Sequence, residues 1–153
     1  MSILRQQLND SLKTALKARE ALAVSTIRLI LAALKDRDIA ARTKGIEDGI
    51  TDTDIFQLFN TMIRQRRDSI KLYESGGRID LAEREKEEIF IIEGFLPPQI
   101  EGEEMINEIQ LVVDEIGAKG IKDMGRTMNK LKEKFAGQMD FSKASGVVRN
   151  LLN

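Results

Sequence analysis

The chain's two prolines stand side by side, Pro97 and Pro98, inside the stretch FLPPQI. No other feature constrains the fold as much. Proline removes a backbone donor and disfavours helical angles in the residue before it, so Pro98 acts on Pro97 and Pro97 on Leu96. A helix arriving there ends near Gly94 or Phe95, and the chain leaves it extended. Elsewhere the backbone is free of proline, and a composition rich in Leu, Ile, Lys, Glu and Arg, with six Phe, one Tyr and no Trp, favours helices over strands. The expectation is an all-α protein: a four-helix N-terminal domain over 1–96, a stiff Pro-Pro joint seated by Phe95, Leu96 and Ile100, and a small three-helix C-terminal domain over 97–153.

Periodicity places the helices. Ser2 can cap a first helix in which Leu4, Leu8, Leu12, Ala15 and Leu16 repeat at helical spacing. The second, about 21–41, is apolar over most of its circumference (Leu22, Val24, Ile27, Leu29, Ile30, Leu31, Leu34), which predicts the buried centre of a bundle. TKGIEDGITDTD reads as a loop leading to a helix over 54–75 that stops at Gly76-Gly77, and a fourth opens at Asp80. Beyond the prolines a fifth helix spans 103–116 and ends at Gly117. Asp123 is expected to cap a sixth through Phe135, and Ser142 a seventh through Leu152.

With no Cys and no His among 153 residues, the chain cannot form disulfides, thiolate nucleophiles, zinc sites with nitrogen or sulfur ligands, or a Ser-His-Asp or Cys-His arrangement. No catalytic residue, metal or cofactor is expected. The opening MSILRQQLNDSLK lacks the apolar run of a signal peptide and no stretch approaches the length that crosses a bilayer, so the expectation is a cytoplasmic protein with no membrane partner.

Two constellations remain. On a helical wheel Arg66 falls within the apolar stripe of the third helix, and Glu85 and Glu88 fall within that of the fourth. Charges at core-facing positions need partners, so Arg66, together with Arg28 from the second helix, is expected to pair with Glu85 or Glu88. The competing reading is an acid-base or di-iron type carboxylate site, which needs histidines the chain does not have.

The second constellation is electrostatic. The net charge is −1, yet residues 94–115 carry six acids and no base, while residues 116–153 carry eight bases and three acids. On the sixth helix Met124, Met128, Leu131 and Phe135 share one side, and Arg126, Lys130 and Lys134 form a ridge on the other; Lys122, Lys132, Lys143 and Arg149 add positive charge nearby. Such a ridge can neutralise phosphates, giving salt-dependent binding with little base selectivity, or it can be an ordinary solvated face. The glycine-rich turn GAKGIKDMG either cradles a phosphate or caps one helix and starts the next.

Three blocks, STIRLILAALKDRDIAAR, MIRQRRDSIKLYESGGRIDLAEREKEEIFIIEGFLPPQI and KDMGRTMNKLKEKFAGQMDFSKASGVVRNLL, resemble in order the pattern of the GatB/YqeY family. The resemblance implies a stand-alone YqeY-like chain whose C-terminal domain is similar to the tail of the B subunit of the glutamyl-tRNA(Gln)/aspartyl-tRNA(Asn) amidotransferase. That tail contributes to tRNA recognition in translation, so tRNA, aminoacyl-tRNA or the amidotransferase machinery are the partners the resemblance implies. The family's description as carbon-nitrogen ligase with glutamine as amido-N-donor belongs to the complex, whose amidase and kinase sites have no counterpart here. Two functional expectations follow: a non-catalytic tRNA-binding accessory module using Lys122, Arg126, Lys130, Lys132, Lys134, Lys143 and Arg149, or a helical adaptor for proteins without nucleic-acid binding.

Overall fold

The computed structural model describes residues 2–153, which form seven α-helices and one 3-10 turn, with no strand among the described residues. They are α1 (Ile3–Ala18), α2 (Ala21–Arg42), α3 (Asp52–Ser75), α4 (Ile79–Glu93), α5 (Gly102–Ile116), the turn Ile121–Asp123, α6 (Met124–Lys134) and α7 (Phe141–Leu152). Their contacts gather into two units, residues 1–96 and 97–153.

In the first unit α1 and α2 form one hairpin and α3 and α4 another, with α2 lying against α4. Ser2 Oγ accepts the Arg5 N–H at 3.1 Å and Thr51 Oγ1 that of Asp54 at 3.3 Å, so each helix start satisfies an otherwise orphaned donor. α3 begins two residues earlier than the sequence predicts, because Thr51 rather than a later residue caps it. The core is built from Leu4, Leu8, Ile30, Leu34, Ile55, Phe59 and Ile92 among others, and burying each such side chain contributes about 2 kcal/mol. Phe59, fully buried, meets the rings of Phe56 and Phe95 at centroid distances of 6.3 and 6.2 Å.

The expectation that α2 is the buried centre needs correction. Thr26, Ile27, Ile30, Leu34 and Ala41 are buried, whereas Leu29 and Ile39 are about half exposed at 50% and 49%. α3 supplies more of the core, with Ile55, Leu58, Phe59, Met62, Ile63 and Ile70 all buried. A helix apolar on all sides can keep one apolar side uncovered, and α2 does.

In the second unit Met105, Ile109, Val112 and Val113 of α5 meet Leu131 of α6 and Ala144, Val148 and Leu152 of α7, with Phe135, Met139 and Phe141 closing the core between α6 and α7. The segment after the prolines is tied into this unit. Gln99 Nε2 donates to the carbonyls of Pro97 and Gly137 at 2.8 and 2.7 Å, the Ile100 N–H donates to the Gln138 carbonyl, and the Ile100 side chain is buried. Two caps differ from expectation. Asp140, not Ser142, caps α7, its carboxylate accepting the Ser142 N–H at 3.0 Å. Asp123 precedes α6 without capping it, since its carboxylate is engaged on the turn that comes before.

Candidate nucleic-acid interface

The positive charge of the second unit is positioned by α6. Thr127 and Leu131 are buried, and the Thr127 hydroxyl donates to the Asp123 carbonyl one turn back at 2.9 Å. That fixes which sides of the helix face water. At 100° per residue Lys130 lies close to the side of Arg126 and Lys134, whereas Lys132 lies roughly 200° round from Lys130. The seven cations therefore do not form a single face. Lys122 stands exposed on the 3-10 turn, Lys130 is half-buried, and Lys132, Lys143 and Arg149 are exposed.

Two members of the ridge are engaged within the protein. Arg126 Nη1 donates to the Ile116 carbonyl at 2.9 Å and Nη2 lies 3.2 Å from Asp123 Oδ1, so this guanidinium holds the C-terminal end of α5 against the start of α6. Lys134 Nζ lies 3.9 Å from Glu115 Oε2 and 5.6 Å from the centroid of the Phe135 ring. Among the described residues Lys122, Lys130, Lys132, Lys143 and Arg149 make no ion pair, so of the seven expected cations these five are available to an anion; Lys119, exposed and likewise without an ion pair, is a cation the sequence reading did not single out.

The glycine-rich turn is closed by its own acid. Gly117 takes a left-handed conformation at φ 66° and caps α5, where a side chain would be strained. Asp123 Oδ2 accepts the Lys119 N–H at 2.9 Å, and this bond, with help from Arg126, keeps the carboxyl below the usual aspartate range. A carboxylate thus sits on a donor that a phosphate would need, which favours the capping reading of this turn.

In the first unit Arg66 Nε donates to Glu88 Oε2 at 2.9 Å and lies 3.8 Å from Glu85 Oε2, while Arg84 reaches Glu88 Oε1 at 3.6 Å. Arg66 Nη1 also donates to the Met62 carbonyl at 3.3 Å. Burial, aided by the charge of Glu88, pushes the Glu85 carboxyl up against the pull of the two arginines. Arg66, Glu85 and Glu88 are brought together; Arg28 is not, because α2 turns it outward, where it is exposed. No group of three or more acids among the described residues is arranged to hold a metal ion.

One cluster was not expected from the sequence: Arg5 of α1, Asp38 of α2 and the backbone of Ile50 close on one another at the loop before α3. The signal available was Gly49, whose presence marks a close approach, but the partners lie too far away in sequence for spacing to identify them.

A family model described as Yqey-like protein matches residues 5–152. Curated relatives named "Altered inheritance of mitochondria protein 41, mitochondrial" include that of Candida glabrata, 36% identical over 89 residues, covering 58% of this chain and 47% of the relative. That of Lachancea thermotolerans is also 36% identical over 89 residues, 58% and 46% of the two chains, and that of Kluyveromyces lactis 30% over 110 residues, 70% and 57%. The chain spans about half the length of the curated relatives it matches.

These names overturn the expectation of a cytoplasmic protein, for the relatives are mitochondrial by name. That expectation rested on a missing apolar leader and a missing spanning segment. Neither separates cytosol from mitochondrion, because mitochondrial transit segments are amphipathic and basic rather than apolar. Among the described residues, no helix is long and apolar enough to cross a membrane.

Proposed function

The chain belongs to the Yqey-like protein family, and from that premise we propose that it serves tRNA-linked amidation as a non-catalytic, tRNA-binding accessory module. The observation that carries this reading is the set of five cations, Lys122, Lys130, Lys132, Lys143 and Arg149, carried by residues 97–153 with no ion pair among the described residues. Cations of this kind bind phosphates through counterion release and read shape rather than bases. Similarity to the amidotransferase tail supports tRNA as the nucleic acid, and a four-helix domain followed by a three-helix tail belongs to the same reading. The carbon-nitrogen ligase description fits the chain as a participant. Its partly buried charge clusters among the described residues, Arg66 with Glu85 and Glu88 and Arg5 with Asp38, are arginine–carboxylate pairs, which supports an accessory role over autonomous catalysis. Filter binding of deacylated tRNA at several salt concentrations tests the reading, alongside an assay for glutamine-dependent amide transfer by the purified chain, which is expected to show none.

A further inference from the structure

A groove of about 700 Å³ runs between the end of α1 and the first turns of α2. Leu16 and Val24 line it with Leu29, the small side chain of Ala21 leaves it open, and Arg19 and Arg28 border it. Leu16 is 46% and Leu29 50% exposed, a large apolar area to leave in water on one face. No acidic residue lines the groove, and neither Arg19 nor Arg28 has an ion pair among the described residues. Arg19 is also the one described non-glycine residue with a positive φ, 56°, at a helix end where glycine would sit without strain. An unpaired guanidinium is held there on a strained backbone.

We propose that this groove docks an acidic amphipathic helix of a partner protein. An apolar floor with two arginine borders matches a helix that presents leucine-type side chains at i, i+3 or i+4, and i+7, flanked by carboxylates. At the two arginines charge complementarity selects the acidic version: a basic helix would face two like charges there, and an uncharged one would leave both guanidinium groups without partners; Asp80, Glu83 and Glu87, which line the adjoining groove at Ala21 and Ser25, confine the helix's carboxylates to the arginine side. Nucleic acid fits poorly, since the floor is aliphatic and no aromatic ring lines it for a base to stack on. This surface lies in the first unit.

The test uses the full chain and two fluorescein-labelled synthetic helices of about 16 residues, one of Leu, Ala and Glu and one with every Glu replaced by Lys. The acidic helix is expected to bind and to shift the methyl resonances of Leu16, Val24 and Leu29, and the basic helix to do neither. Arg19→Glu with Arg28→Glu should weaken binding about tenfold or more. Arg19→Gly with Arg28→Gln, which removes charge and relieves the strained backbone, should weaken it in the same direction while thermal unfolding remains unchanged or rises. Equal binding of the two helices, or binding indifferent to both double variants, overturns the proposal. So does a dimer of this chain, or retention of RNA, that is lost in the Arg19→Glu/Arg28→Glu variant, because either gives the groove another occupant.

Discussion

Arg5 and Asp38 face each other across α1 and α2 as two parallel hydrogen bonds, Nη1 to Oδ2 at 2.8 Å and Nη2 to Oδ1 at 2.9 Å. Ile50 completes the cluster: its N–H donates to Asp38 Oδ1 at 2.9 Å and its carbonyl accepts from Arg5 Nη2 at 3.0 Å. The loop that leads into α3 is therefore pinned to the first hairpin by two bonds to its backbone, made by a pair that two further bonds hold together.

Gly49→Ala breaks this pin. A Cβ at position 49 would stand 2.7 Å from Arg5 Nη2 and 2.8 Å from Asp38 Oδ1, on a backbone with φ of 86°. The expected loss is about 2–3 kcal/mol in urea unfolding. Gly45→Ala, with a similar φ of 89° and open space around it, should lose only about 1 kcal/mol, so the difference between the two reports the clamp.

The pH dependence of stability separates two carboxylates. The hydrogen bonds from Arg5, then the Ile50 N–H, hold Asp38 below its ordinary value although burial opposes them. Its contribution is therefore present above the unfolded pKa of about 3.9 and lost as pH falls through the lower folded value. Asp38→Asn should be less stable than the parent at neutral pH by about 2 kcal/mol and converge on it in acid. Glu85 is shifted upward, chiefly by burial, so its charge opposes folding above the unfolded pKa. Glu85→Gln should gain a little stability at neutral pH, with the gain vanishing in acid.

Arg66→Met tests the ion pairs of α3 and α4. It strips Glu88 of its 2.9 Å partner in a side chain only 12% exposed and leaves Arg84 as the remaining cation close to it. A loss of about 2–4 kcal/mol at neutral pH is expected, shrinking as the carboxylates protonate, by urea unfolding at two pH values. No loss, or a gain, would mean that the pair is dispensable.

How much of this was legible in the sequence differs by kind. The α-helical class, the stop at Gly76-Gly77 and the Arg66 position inside an apolar stripe follow from local spacing and turn chemistry. The clamp could not be read that way, since Arg5 and Asp38 lie 33 residues apart and meet only after two helices dock. The burial of α2 does not follow from its sequence, because an apolar circumference does not say which side remains uncovered, and Leu29 is exposed. Spacing makes Arg126 one cation of a ridge, yet its guanidinium closes on the Ile116 carbonyl, a contact set by the turn between α5 and α6.

That contact separates two roles within the basic unit. Arg126→Ala should lower stability by about 1 kcal/mol, because it frees a helix-end carbonyl and the Asp123 carboxylate, whereas Lys130→Ala should leave stability within about 0.5 kcal/mol. Thermal unfolding of the two variants under one buffer checks it.

The proposed tRNA contact is made by the five cations of residues 97–153, and filter binding of deacylated tRNA across a salt series measures them directly. Binding should weaken steadily with salt, and each alanine replacement among Lys122, Lys130, Lys132, Lys143 and Arg149 that removes a phosphate contact should reduce the log-log slope by about 1. Absence of binding at physiological salt, or an affinity and slope unchanged when all five are replaced, would contradict the tRNA-binding role.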